Sequence, residues 1–94
     1  MLRADTRIIR NKDVLQANLQ AESIALLKVG GMDYYGLDGP AARIWQLLES
    51  EQTVDSICSV LTTEFDVSMD VCLHDTLELL RSLLSENLVT VVGE

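Results

Sequence analysis

Hydrophobic and polar residues alternate strand-fashion up to Leu37 and recur at helical spacing after Gly39. Arg7-Ile8-Ile9-Arg10 has the composition of a short strand, and Asn11-Lys12-Asp13 that of a turn whose side chains bond their own backbone. Val14 to Leu19 places Leu15, Ala17 and Leu19 on one face and Gln16, Asn18 and Gln20 on the other, which predicts a half-buried strand. Leu and Gln would serve a helix there too. After the connection Ala21-Glu22, the apolar run Ile24-Ala25-Leu26-Leu27-Lys28-Val29 ends at Gly30-Gly31. A Gly-Gly pair between two apolar runs is a hairpin signal, because both residues reach φ > 0 without a side-chain clash. The chain then returns as a strand from Met32 to Leu37.

Pro40 suits the first turn of a helix, where a missing N–H costs nothing. Ile44, Leu47 and Leu48 follow at i, i+3, i+4, with Trp45 beside them, and Ser50-Glu51-Gln52 ends the pattern. Thr53 is an N-cap for a second helix with Asp55 in its first turn, and Ile57, Val60, Leu61 and either Phe65 or Glu64 make its stripe. Ser68 caps a third helix, Met69 to about Glu86, which Asn87 stops in the left-handed region. Leu88 to Val92 is a last strand or an apolar tail. A three-stranded antiparallel sheet followed by three helices predicts an α+β domain of winged-helix type, with one core over residues 1–94.

Composition narrows the function. The net charge is −8 and the seven Lys and Arg are scattered, which disfavours nucleic acid, whose binding depends on neutralised phosphates. No apolar run is long enough for a membrane span and no apolar segment follows Arg3 and Arg7, so a cytoplasmic protein is expected. Cys58 and Cys72 read as reduced, buried thiols, with a disulfide between two helices left open. His74 is the single histidine, without the partners of a metal site, and Asp75 and Glu78 read as a solvated pair. Neither a nucleophile elbow nor a phosphate loop is present. No enzyme and no cofactor is therefore expected. Asp55-Ser56-Ile57 is similar to the Asp-Ser-Leu of acyl and peptidyl carrier proteins, where the serine carries phosphopantetheine. The strands before it argue against an all-helical carrier, and Asp and Ser are common in a helix's first turn for capping alone. A carrier modified on Ser56 and a winged-helix regulator stand as alternatives.

The third helix is apolar over an unusually wide arc. At 100° per residue, Leu73, Leu77, Leu80 and Leu84 form one stripe and Cys72, Thr76, Leu79 and Leu83 a second, together roughly 160° against the ~100° that a surface helix buries. Either the helix is central, packed on both sides, or one stripe is core and the other lines a shallow groove bordered by His74, Glu78 and Arg81. A groove beside a free strand edge holds an extended peptide through main-chain bonds and side-chain pockets.

Tyr35-x-Leu37-Asp38, Ala42-x-Ile44-Trp45-x-Leu47-Leu48, Thr53-Val54-x-x-Ile57, Phe65-Asp66-Val67, Asp75 with Leu79-Leu80-x-x-Leu83, and Leu88-Val89 together resemble the PqqD-like family. These are recognition elements for precursors of ribosomally made, modified peptides. Residues 23–90 carry the resemblance, and Ile24-Ala25-Leu26-Leu27 is most similar to the stand-alone leader-binding proteins of lasso-peptide clusters. Asn87 where the family has Gly, and Lys28 where it often has Asp, are the departures. The resemblance implies a leader segment added antiparallel to strand 32–37 and packed on helix 69–86, for delivery to a leader protease and cyclase. It assigns Leu79, Leu80 and Leu83 to the core. The implied peptide-binding positions are Met32, Asp33, Tyr34, Tyr35, Gly36 and Leu37 on the strand, and Leu73, His74, Leu77, Arg81 and Leu84 on the helix. Tyr35 is expected on the core face and Tyr34 at the rim.

Overall fold

The strand-like runs divide between two sheets rather than joining in one. The structure, a computed structural model, describes residues 2–20, 23–31 and 33–93. Its elements are β1 (Arg7–Arg10), β2 (Val14–Asn18), β3 (Ile24–Lys28), β4 (Tyr34–Leu37), α1 (Pro40–Leu47), β5 (Gln52–Thr53), α2 (Val54–Glu64), α3 (Met69–Ser85) and β6 (Val89–Val91). One antiparallel sheet has the order β2-β3-β4 and the other β5-β1-β6. The predicted α+β class and the three helices stand, whereas the simple order of one sheet and then helices does not. One short strand, β5, intervenes between α1 and α2, and another, β6, follows α3.

The second sheet forms because the end of α3 brings the chain back beside β1. Asn87 sits at φ 59°, Leu88 N–H donates to Leu83 O at 2.9 Å, and Asn87 N–H donates to Leu84 O at 3.0 Å. That is a Schellman cap, and it points Leu88 and Val89 into the core. Val89–Val91 then pairs with β1 in the register Ile8↔Val91, which settles the tail as a strand. We expect Asn87→Ala to cost about 1 kcal/mol in urea denaturation and Asn87→Gly to be neutral or slightly stabilising, since the left-handed conformation penalises a Cβ.

The β3–β4 turn is tighter than the glycine pair implies. Gly31 N–H donates to Lys28 O at 2.8 Å and only Gly30, at φ 87°, lies in the left-handed region. A Cβ on Gly31 would instead stand 3.1 Å from Lys28 O.

The leucine face of β2 does not meet the core. Leu15 is 57% exposed, while Gln16, on the opposite face, accepts hydrogen bonds from Trp45 Nε1–H at 3.0 Å and from Arg10 at 3.0 Å. The Arg10 guanidinium also lies 5.0 Å from the Trp45 ring centroid and reaches Glu49 at 3.4 Å. A buried indole N–H needs an acceptor, and the amide of Gln16 supplies it. This cluster joins the two sheets through α1.

The core gathers Ile8, Leu26, Trp45, Leu48, Val54, Ile57, Cys58, Leu80 and Leu83, all fully buried. Thr53 caps α2 by a reciprocal capping box. Its side chain accepts from Ser56 N–H at 3.0 Å, and Ser56 Oγ accepts from Thr53 N–H at 3.0 Å. Ser56 is thus tied into the cap, and the carrier alternative meets a chain that is not all-helical. Phe65, not Glu64, continues the apolar side of α2, for Glu64 is exposed and pairs with Arg43.

Candidate functional site: a free strand edge beside α3

β4 pairs with β3 alone, so among the described residues its outer edge is unpaired. Such an edge presents backbone N–H and C=O groups every second residue. The register sets Tyr35 opposite Leu26 and Leu37 opposite Ile24, on the core face. Leu37 is buried, Tyr35 half-buried and Tyr34 76% exposed. Asp33 and Gly36 are exposed, and a Cβ at Gly36 would meet nothing within 4 Å. Met32 lies outside the described residues.

Two depressions follow α3 along the side that faces this part of the chain. An open one of about 330 Å³ lies between Tyr35 and the last turns of α3, at Arg81, Ser82, Ser85 and Glu86. An apolar cleft of about 180 Å³ lies further back, where Pro40, Ala41 and Ile44 of α1 and Leu61 and Phe65 of α2 meet Cys72, Asp75, Thr76 and Leu79 of α3. The chain from β4 into α1 therefore passes α3 from its C-terminal turns towards its middle. Leu79, Ser82 and Glu86 share one flank of α3 beside the buried line Cys72, Thr76, Leu80 and Leu83.

The structure brings Tyr35 and Arg81 together. Leu73, Leu77 and Leu84 are half-buried against the core on the opposite flank and line neither depression. His74 is exposed, with Nε2 2.6 Å from Glu78 Oε1, and one ligand atom each of His74, Asp75 and Glu78 lie within 4.8 Å of one another. Leu79, Ser82, Ser85 and Glu86 were not singled out from the sequence as groove residues. A helical wheel shows that the apolar arc is wide, but not which of its residues line a depression.

Charge and thiols frame the cleft. Arg43 of α1 donates to Glu64 of α2 at 2.8 and 2.9 Å. Those hydrogen bonds, and then charge attraction, hold the Glu64 carboxyl below the usual carboxylate range. Beneath the cleft, Cys58 Sγ donates to Thr76 Oγ1 at 3.6 Å and Cys72 Sγ lies 3.9 Å from the same oxygen. Both cysteines are free thiols. Burial pushes the Cys58 thiol up to about 11 from 9.0, with the neighbouring Cys72 adding to the rise and the Thr76 hydroxyl opposing it. A raised acid binds its proton more tightly when folded, so this stability is complete below pH 9.0 and is lost as pH rises towards about 11. We expect Cys58→Ala to flatten the alkaline fall in urea midpoint over that window.

The fold and site define a small α+β domain with an open strand edge alongside a long helix. No described helix is long and apolar enough to cross a membrane. The family described as Coenzyme PQQ synthesis protein D (PqqD) matches residues 23–89, and the chain belongs to that family. Among solved structures it is similar to a chain of "TbiB1 in Complex with the TbiA(beta) Leader Peptide", at 27% identity and a TM-score of 0.78, over 92% of this chain and 96% of that one. A comparison with curated proteins found no match.

Proposed function

We propose that this chain is a non-catalytic, cytoplasmic binding protein that captures the leader segment of a ribosomal precursor peptide, in a lasso-type pathway. The leader adds as an antiparallel strand to β4 and packs against α3, and the chain presents it to the leader protease and cyclase. The open edge of β4 in a chain of the PqqD family carries this reading, and the leader-bound TbiB1 relative supports it. Main-chain bonds supply affinity and side-chain pockets select a few apolar or aromatic leader residues. Holding the leader raises the effective concentration of the core peptide at the enzyme without any chemistry by this chain. Residues 1–94 act as one recognition unit, winged-helix-like in its sheet β2-β3-β4 and three helices. Asp33, Tyr34, Tyr35, Gly36 and Leu37 supply the strand side, and Arg81 with its neighbours on α3 the helix side.

Fluorescence anisotropy with the labelled leader of its precursor tests this. Saturable binding is expected at micromolar concentration or below, with the peptide's mass unchanged after incubation. No binding at about 100 µM, or a covalent change made by the chain alone, overturns the proposal.

A further inference from the structure

The sheet β2-β3-β4 is apolar on both faces, and only one of them is covered. Leu15 stands opposite Leu27 on the β2–β3 ladder, and Leu27 opposite Tyr34 on the β3–β4 ladder, so these three project from the face turned away from Ile24, Leu26 and Leu37. The ladder continues past the strand ends. Val29 N–H donates to Asp13 O at 2.8 Å and Leu19 N–H to Ser23 O at 2.8 Å, which puts Val29 and Leu19 on the same face. Leu15 is 57%, Leu19 54%, Val29 58% and Tyr34 76% exposed. Within β2, β3 and β4 no residue that projects from this face carries a charge, and where the ladder runs on past β2 the exposed Asp13 stands opposite Val29 on the same face.

We infer that this face packs on the same face of a second copy of the chain, in a two-fold dimer whose sheets stack about 10 Å apart. The area favours this occupant. The four exposed side chains leave roughly 500 Å² uncovered, near the top of what a monomer's largest patch shows. Two such faces together reach the roughly 1,000 Å² that a specific interface requires. The middle of the face, Leu15, Leu27 and Tyr34, is uncharged, so a two-fold contact centred there leaves Asp13 at its rim in water. The net charge of −8 on each copy opposes the approach and is screened by salt, so the dimer is weak and tightens as salt rises. Face-to-face stacking leaves the outer edge of β4 free, so this dimer is compatible with strand addition there and does not depend on it.

Sedimentation velocity from about 5 to 500 µM, at about 50 and 500 mM NaCl, tests the inference. A monomer-to-dimer shift is expected within that range, with a dissociation constant several-fold lower at high salt. Leu15→Glu puts a charge where more than half of the side chain is already exposed, so circular dichroism and Tm stay near those of the parent chain, whereas Val29→Glu, opposite Asp13, keeps the fold and lowers Tm slightly. Each is expected to raise the dissociation constant more than tenfold. Val29 lies past the end of the central strand, so its variant separates face stacking from pairing through the β2 edge. A chain still monomeric at the highest concentration and salt overturns the inference, and so does a dimer that Val29→Glu leaves intact.

Discussion

Trp45→Ala removes most of the protein's stability, and a large shift of the urea midpoint is the expected result. The indole is fully buried at the junction of both sheets and α1. Truncating a buried aromatic costs about 3–5 kcal/mol, through lost transfer energy and the cavity left behind. A domain of this size has roughly 5–15 kcal/mol in all, so at the low end little remains. The loss is compounded because the amide of Gln16 and the guanidinium of Arg10 lose their common partner. Trp45→Phe separates the two contributions. It keeps most of the apolar volume but gives up the N–H···O bond to Gln16, so about 1–2 kcal/mol is expected. Equilibrium unfolding followed by circular dichroism measures both. A Trp45→Ala midpoint equal to that of the parent chain would refute the role given to this cluster.

Leader affinity falls at least tenfold in Leu79→Glu and stays within a few-fold in Leu77→Glu. The two leucines are both half-buried on α3 and both pack against the core, so their substitutions disturb folding to a similar degree. They differ in the flank they occupy. Leu79 lines the apolar cleft with Pro40, Ala41 and Ile44 of α1, the helix that follows β4, whereas Leu77 lines neither depression. A carboxylate in a site meant for an apolar leader side chain must be desolvated without a partner, which costs well over the 1.4 kcal/mol of a tenfold change. Tyr34→Ala is expected to weaken binding little, because the exposed ring adds only rim contact and the β4 backbone edge is unchanged. Anisotropy titrations of the three variants, with Tm as the folding control, decide the matter. The reverse order, with Leu77 sensitive and Leu79 indifferent, would move the proposed groove to the Leu73–Leu77–Leu84 flank.

Much of the architecture was legible because its signals are local. Pro40, Thr53 and Ser68 mark helix starts through groups that act within one turn, and all three helices begin there or one residue later. Alternation in β4 sets Tyr35 on the face of Leu37, the family resemblance makes that the core face, and Tyr35 is half-buried and Tyr34 exposed as expected. Where a reading depended on what lies across the core, it went astray or stayed open. The period of β2 was right, but its faces were exchanged. Leucine usually turns inward, and here the indole N–H of Trp45 draws Gln16 to that side instead. Val89–Val91 was undecided because its partner, β1, is about eighty residues away.

The sequence by itself determined the α+β class, the three helices and their caps, the acidic balance of the chain, and the family to which it belongs. Each rests on composition, on hydrogen bonds closed within a few residues, or on a pattern of anchors carried along the chain. The tertiary structure alone decided that the strands split into two sheets, that Tyr35 of β4 meets the last turns of α3 at Arg81, and that the leucine face of β2 is uncovered. Periodicity states which residues share a face. Only packing between distant elements decides what that face meets.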